Sequence, residues 1–270
     1  MNLRKTLFIL PNLFTLSSIF CGFDAIRLMA TAPPPAVDPM PYYLASLLLV
    51  FAMFFDTIDG RVARLTKTQS AFGVQIDSLA DVISFGVAPA LLLYRWSLAS
   101  IGIAGLVVSF VFCATGAIRL ARFNVLAMNV KGAPNKPGKY ITGLPIPGAA
   151  GVILALVIAN HSVRGQLWSQ KALIVAVVLG LSALMVSTVQ FRSFKEMKFT
   201  WRTAALMVVA FGSTIAVSLR FGPAFALPWI LACYIAIALL ETAVTFPERR
   251  RERRRVRRAA ASPGENESQP

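Results

Sequence analysis

Eight stretches of about twenty mostly apolar residues follow one another along the chain, at approximately 12–30, 42–64, 73–94, 98–120, 141–160, 171–190, 203–221 and 225–246. About 20 such residues are what a helix needs to cross the hydrocarbon core of a bilayer. No segment between them is long enough to bury a core of its own. The composition agrees, with 56% apolar and 14% charged residues where soluble domains have about half and a quarter. The expectation is an all-α integral membrane protein with about eight transmembrane helices. Short connections carry the turn residues: a proline-rich one at 31–41, a Gly- and Pro-containing one at 131–143, and polar stretches around His161 and Arg192. No internal repeat is visible. Arg4 and Lys5 precede the first apolar run without a small-residue cleavage site after it, so that run reads as a retained helix and not a signal peptide.

Charge gives the orientation. The chain has 27 Lys and Arg against 12 Asp and Glu, a net +15. Threaded through eight spans with the N-terminus in the cytoplasm, 22 of the 27 basic residues fall on that side, leaving Arg27, Arg95, Arg164, Lys171 and Arg220 opposite. The positive-inside rule therefore puts both termini in the cytoplasm. Eight arginines between Arg249 and Arg258 follow the last apolar stretch, so the chain divides into a membrane domain, 1–248, and a basic, disordered cytoplasmic tail, 249–270. Anionic membrane lipids attract such a tail by about 1 kcal/mol per arginine. Nucleic acid is not expected as a partner, since no aromatic residues are interleaved with the arginines.

The residues that usually run chemistry are scarce. Cys21, Cys113 and Cys233 are scattered through apolar stretches and His161 is the one histidine, so neither a disulfide framework, a zinc site nor His-based catalysis is indicated. Carboxylates remain. Asp24, Asp56, Asp59, Asp77, Asp81 and Glu241 lie in or at the edges of apolar stretches, where an ionised side chain costs at least about 2.5 kcal/mol near the bilayer centre. Asp56 and Asp59 are three apart near the end of the second stretch; Asp77 and Asp81 are four apart near the start of the third. Each pair shares a helix face, and the short connection lets the two helices pack antiparallel with all four acids at one depth. Carboxylates that close repel strongly, and several stay protonated, unless a cation sits among them. Oxygen ligands without His or Cys favour a hard ion such as Mg²⁺, Mn²⁺ or Ca²⁺. The plainer alternative is a set of interfacial acids, solvated or paired with Arg61, Arg64 and Lys67.

Small residues complete the pattern Asp56-x2-Asp59-Gly60-x2-Ala63-Arg64-x8-Gly73-x3-Asp77-x3-Asp81. Here the chain resembles the CDP-alcohol phosphatidyltransferases, whose motif D-x2-DG-x2-AR-x8-G-x3-D-x3-D is filled at every fixed position. Glycines let a nucleotide approach the backbone, and Arg64 can grip a phosphate bidentately. The resemblance implies a metal site of Asp56, Asp59, Asp77 and Asp81, the first three as ligands and Asp81, beside the metal and the acceptor, also as general base. It also implies two divalent ions, Mg²⁺ or Mn²⁺, about 3.5–4 Å apart, at an active site on the cytoplasmic ends of helices 2 and 3. CDP-lipid contacts are then expected from Asn12, Gly60, Ala63, Arg64 and Gly73, although Asn12, next to helix-breaking Pro11, can serve as a simple cap.

The flanks narrow the acceptor. Residues 10–16, Phe20-Cys21-Gly22, 71–90, Arg119-Leu120-Ala121-Arg122-Phe123-Asn124 and Gly143-Leu144-Pro145-Ile146-Pro147 are similar to the bacterial phosphatidylserine synthases of this family, over roughly residues 5–150. Gly148 stands where alanine is expected. This resemblance implies CDP-diacylglycerol and L-serine as substrates, phosphatidylserine and CMP as products, a homodimer, and a bacterial inner membrane location. Arg119 and Arg122, three apart on the fourth helix, are candidates for binding the serine carboxylate or the lipid phosphate, with ordinary positive-inside anchoring as the alternative. Lys131, Lys136 and Lys139 are read as a solvated loop, with attraction of CDP-lipid as the alternative, and Asp24 and Glu241 as snorkelling or paired. Two competing readings remain: the same chemistry on glycerol 3-phosphate, inositol phosphate or choline, and a cation transporter using the acids as an ion path.

Overall fold

A computed structural model of the chain describes residues 3–66, 68, 70–127, 140–162, 167–192 and 201–237. Lys67, Glu241, the loop lysines Lys131, Lys136 and Lys139, and the tail 249–270 lie outside the described residues. The apolar stretches form α1 (Leu3–Thr31), α2 (Met40–Leu65), α3 (Ala71–Asp81), α4 (Ala88–Trp96), α5 (Ile103–Ala127), α6 (Ile146–Ser162), α7 (Lys171–Val186), α8 (Trp201–Phe221) and α9 (Ala226–Ile237). α3 and α4 are one rod, joined by a π-helical turn at Val82–Val87. Four spans, Pro11–Thr31, Met40–Leu65, Ala71–Trp96 and Ile103–Val125, are long and apolar enough to cross a membrane, and shorter apolar helices follow at Ile146–Ser162, Lys171–Val186, Val208–Arg220 and Ala226–Ile237. The chain is a multi-pass membrane protein.

Local chemistry accounts for the helix ends. Pro33, Pro34 and Pro35 follow the end of α1, and Pro41 lies in the first turn of α2, positions where a missing N–H costs little. Ser70 caps α3 by accepting from the Gly73 N–H at 2.9 Å. Three expectations change. Pro11 does not break the first helix, which runs through it from Leu3; a long apolar helix tolerates the loss of one backbone donor. The stretch at 98–120 opens with a 3-10 turn, Leu98–Ile101, and Gly102, at φ 61°, resets the chain so that α5 starts at Ile103. The chain is also not purely helical. β1 (Tyr140–Thr142) pairs antiparallel with β2 (Gln190–Arg192), Ile141 opposite Phe191, so two polar connections satisfy each other's backbone groups.

The core sits between α1, α2, α4 and α6, with Ala25, Met29, Ala45, Leu49, Leu92, Trp96, Ala150 and Leu154 buried. Small residues bring the backbones close, since packing and not water exclusion holds membrane helices together. Gly22 of α1 faces the π turn, where the Ser84 hydroxyl donates to the Ser18 carbonyl at 3.0 Å. Phe20, Phe23, Phe51, Phe54 and Phe110 point outward, as lipid contact allows. One end of the bundle is tied by polar bonds: Arg95 donates to the Met29 and Ala32 carbonyls, Tyr42 to the Pro33 carbonyl at 2.7 Å, and Lys171 Nζ to Ser97 and Trp168 carbonyls, each at 2.7 Å. Asp24 is paired with Arg27 at 2.6 Å.

The close approach of α1 to the π turn is testable. A Cβ at Gly22 would stand 2.8 Å from Ser84 Oγ and 3.1 Å from Ser84 Cα, whereas a Cβ at Gly180 of α7 meets nothing within 4 Å. Gly22→Ala is expected to lose about 1–3 kcal/mol through overpacking, and Gly180→Ala to lose nothing. Thermal unfolding in detergent compares them; equal melting temperatures would contradict this packing.

Candidate active site

At the end of the bundle opposite the Arg95 and Lys171 ties, α2 and α3 reverse direction through a short connection and present their acids to each other. Asp56, Asp59 and Asp77 each offer a carboxylate oxygen, and these oxygens all lie within 4.8 Å of one another. Asp59 is buried, at 4% exposure. Asp81, one turn further along α3, lies beside Asp56 and within electrostatic reach of Asp77 and Arg119. Its Oδ1 is buried without a hydrogen-bond partner. Among the described residues no Lys or Arg makes a direct ion pair with any of these four acids; Arg64 acts on Asp59 and Asp77 only through its charge, from outside contact distance. An all-oxygen donor set of this kind, with one buried oxygen left over, fits a hard divalent cation.

The remaining candidates fall around this cluster. Asn12 of α1 approaches Gly73, with its Oδ1 3.8 Å from where a Cβ on that glycine would stand. Gly60 leaves room for Arg64, whose Nη1 would be 3.4 Å from a Cβ there; the Arg64 side chain is exposed and Ala63 half-buried. The two α5 arginines separate. Arg119 is buried at 7% exposure, with its Nε unpartnered, its guanidinium 5.9 Å from the centre of the Phe123 ring, and Asp81 and Tyr234 in electrostatic reach. Arg122 is exposed and its Nη1 donates to the Val186 carbonyl at 3.4 Å. The two do not converge on one point.

Two residues at the site were not singled out by sequence reasoning. Thr15 Oγ1 of α1 donates to Asp59 Oδ2 at 2.7 Å, and Asn124 Nδ2 of α5 donates to Ser78 Oγ of α3 at 2.9 Å. Both lie in segments that carry the family resemblance. A threonine inside an apolar helix ordinarily bonds to its own preceding turn, so its type alone gives no signal.

Crowded carboxylates make the metal-free protein less stable than it need be, and this predicts a reversal. In excess chelator Asp77→Asn is expected to melt no lower than wild type, because one repulsive charge is gone. With millimolar Mg²⁺ the wild type should gain several degrees and Asp77→Asn little, because an ion that binds only the folded state stabilises it by mass action. Melting curves that ignore Mg²⁺ in both proteins would count against a cation site.

The chain matches known proteins along most of its length. The family model for CDP-alcohol phosphatidyltransferase matches residues 8–246. A CDP-diacylglycerol–serine O-phosphatidyltransferase of Helicobacter pylori is 37% identical over 203 residues, covering 75% of this chain and 80% of the relative. Proteins of the same description from Mycobacterium tuberculosis and Methanocaldococcus jannaschii are 31% identical over 264 residues, covering 93% and 87% of the two chains, and 38% identical over 163 residues, covering 60% and 71%. With its aspartates gathered between α2 and α3 and a family match along most of its length, the chain belongs to the CDP-alcohol phosphatidyltransferases.

Proposed function

We propose that the protein transfers a phosphatidyl group from CDP-diacylglycerol to L-serine, giving phosphatidylserine and CMP. The relatives' shared description supports the substrates. The observation that favours serine in this chain is Arg119, a buried guanidinium with a free Nε beside Asp81, suited to an acceptor that carries a carboxylate. In this reading Asp56, Asp59 and Asp77 hold two Mg²⁺ or Mn²⁺ ions, with Asp81 close by. When bound, these ions supply Lewis-acid stabilisation of the pyrophosphate and of the leaving phosphate. Asn12, Gly60, Ala63, Arg64 and Gly73 receive the CDP group: the glycines leave space for it, and Arg64 pairs with phosphate. Asp81 takes the proton of the serine hydroxyl as its oxygen attacks the lipid-side phosphorus; the bond to CMP breaks, and CMP leaves. Arg119 orients the serine carboxylate. Arg122, turned to Val186, serves the phosphate side or the membrane interface.

The same proposal includes eight spans with both termini in the cytoplasm of a bacterial inner membrane, the site opening at the cytoplasmic ends of α2 and α3, a membrane domain at 1–248 and a tail at 249–270 that meets anionic lipids. It also includes a homodimer.

CMP release by purified protein with CDP-diacylglycerol tests the acceptor. Release is expected with L-serine, not with glycerol 3-phosphate, inositol phosphate or choline, and is expected to stop in excess chelator. Asp81→Asn should keep CDP-lipid binding and lose turnover, because a base acts on rate. Preference for another alcohol, or full activity in chelator, would overturn the reading.

Arg119→Ala should raise the KM for serine far more than that for CDP-diacylglycerol. A hydrogen bond to a charged group contributes about 1.5–3 kcal/mol, so kcat/KM for serine should fall about 10- to 150-fold. Lysine should rescue only in part, lacking the planar fork, and Arg122→Ala should have the smaller effect. Steady-state kinetics on the three variants measures this; an unchanged serine KM in Arg119→Ala would remove Arg119 from the serine site.

A further inference from the structure

We propose that Thr15 is a positioning residue for the metal cluster, its hydroxyl holding the Asp59 carboxylate in the rotation that turns it toward Asp56 and Asp77. This rests on the reading of those three aspartates as metal ligands. Thr15 is buried, at 4% exposure, as is Asp59, and its Oγ1 has two acceptors within reach: Asp59 Oδ2 at 2.7 Å and the Pro11 carbonyl at 3.2 Å. The hydroxyl has one proton to give. The shorter contact, to the group that is anionic when it binds a cation, takes it, since hydrogen bonds to ionised acceptors are shorter and stronger than neutral ones. A carboxylate otherwise turns broadly about its last torsion. A donor fixed on another helix removes that freedom before the ion arrives, as the outer partners of metal ligands commonly do.

The placement on α1 makes the contact more than incidental. Asn12 and Thr15 are three residues apart on one helix face; Asn12 approaches Gly73 of α3 while Thr15 bonds Asp59 of α2. One turn of α1 thus touches the site portions of both acid-bearing helices and sets their relation.

Mn²⁺ binding to the purified full-length protein in detergent, without substrate, tests this through the electron paramagnetic resonance signal of free Mn²⁺. Thr15→Val keeps the shape and removes the hydroxyl; Thr15→Ser keeps the hydroxyl and removes the methyl. A positioning hydroxyl predicts Mn²⁺ affinity about 10-fold or more weaker in Thr15→Val and within about threefold of wild type in Thr15→Ser. Both should unfold within a few degrees of wild type in chelator, and Thr15→Val should recover most of its kcat at saturating Mn²⁺. A packing role predicts the reverse order, with valine like wild type and serine the poorer. Should Thr15→Val not fold, Thr15→Ala carries the same expectation. Wild-type affinity in the variant lacking the hydroxyl, or equal weakening in Thr15→Ser, overturns the proposal. Failure of the wild type to bind Mn²⁺ overturns the metal reading and this inference with it.

Discussion

Mutual repulsion among Asp56, Asp59 and Asp77 sets the terms for the rest of the molecule. Two unit charges 4.8 Å apart, the outer limit for oxygens of these acids, repel by about 3–4 kcal/mol at an effective dielectric near 20, and crowded carboxyls escape part of that only by keeping protons. Against a net stability of about 5–15 kcal/mol for an ordinary domain, that is a large opposing term. A cation between the acids turns it into attraction. Until one binds, the two acid-bearing helices must be held together by contacts elsewhere. The buried stripe of Ala25, Met29, Ala45 and Leu49, and the Arg95 and Lys171 bonds at the far end, supply that restraint and leave the acid end free for ligands.

The rod formed by α3 and α4 shows how one helix serves both ends. Asp77 and Asp81 face the site, whereas Phe85, Ala88 and Leu92 are fully buried in the core. The π turn at Val82–Val87 begins directly after Asp81. An added residue in a helix shifts the phase of everything beyond it by about 100°, so the acids and the core face can be aimed separately. π turns are frequent at functional sites for this kind of reason. Ser84 and Gly22 then lock the turn against α1.

Much of this is legible in the residues. Apolar length places the helices, because a bilayer imposes it, and the spacing of three and four between acids predicts two shared faces that do meet. What the chain hides depends on tertiary contacts. Arg119 and Arg122 share a helix face by spacing, yet the rotation of α5 against α3 and α7 buries one beside Asp81 and leaves the other on the Val186 carbonyl. The bond from Thr15 to Asp59 spans 44 residues of sequence and competes with a local bond open to any helical threonine. Pro11 looks like a helix break by its chemistry, and the helix continues because only one backbone donor is lost. The pairing of 140–142 with 190–192 joins two connections whose composition says only that they are not apolar.

The function of this helix pair turns on whether the clustered oxygens hold a cation. Crystals grown with Mn²⁺ and CDP-diacylglycerol, with diffraction recorded at the manganese absorption edge, test it most directly. Anomalous density is expected between α2 and α3, within metal–oxygen bonding distance of Asp56, Asp59 and Asp77, with Asp81 adjacent. Well-ordered aspartates paired with lysine or arginine, and no anomalous density among them, would contradict it.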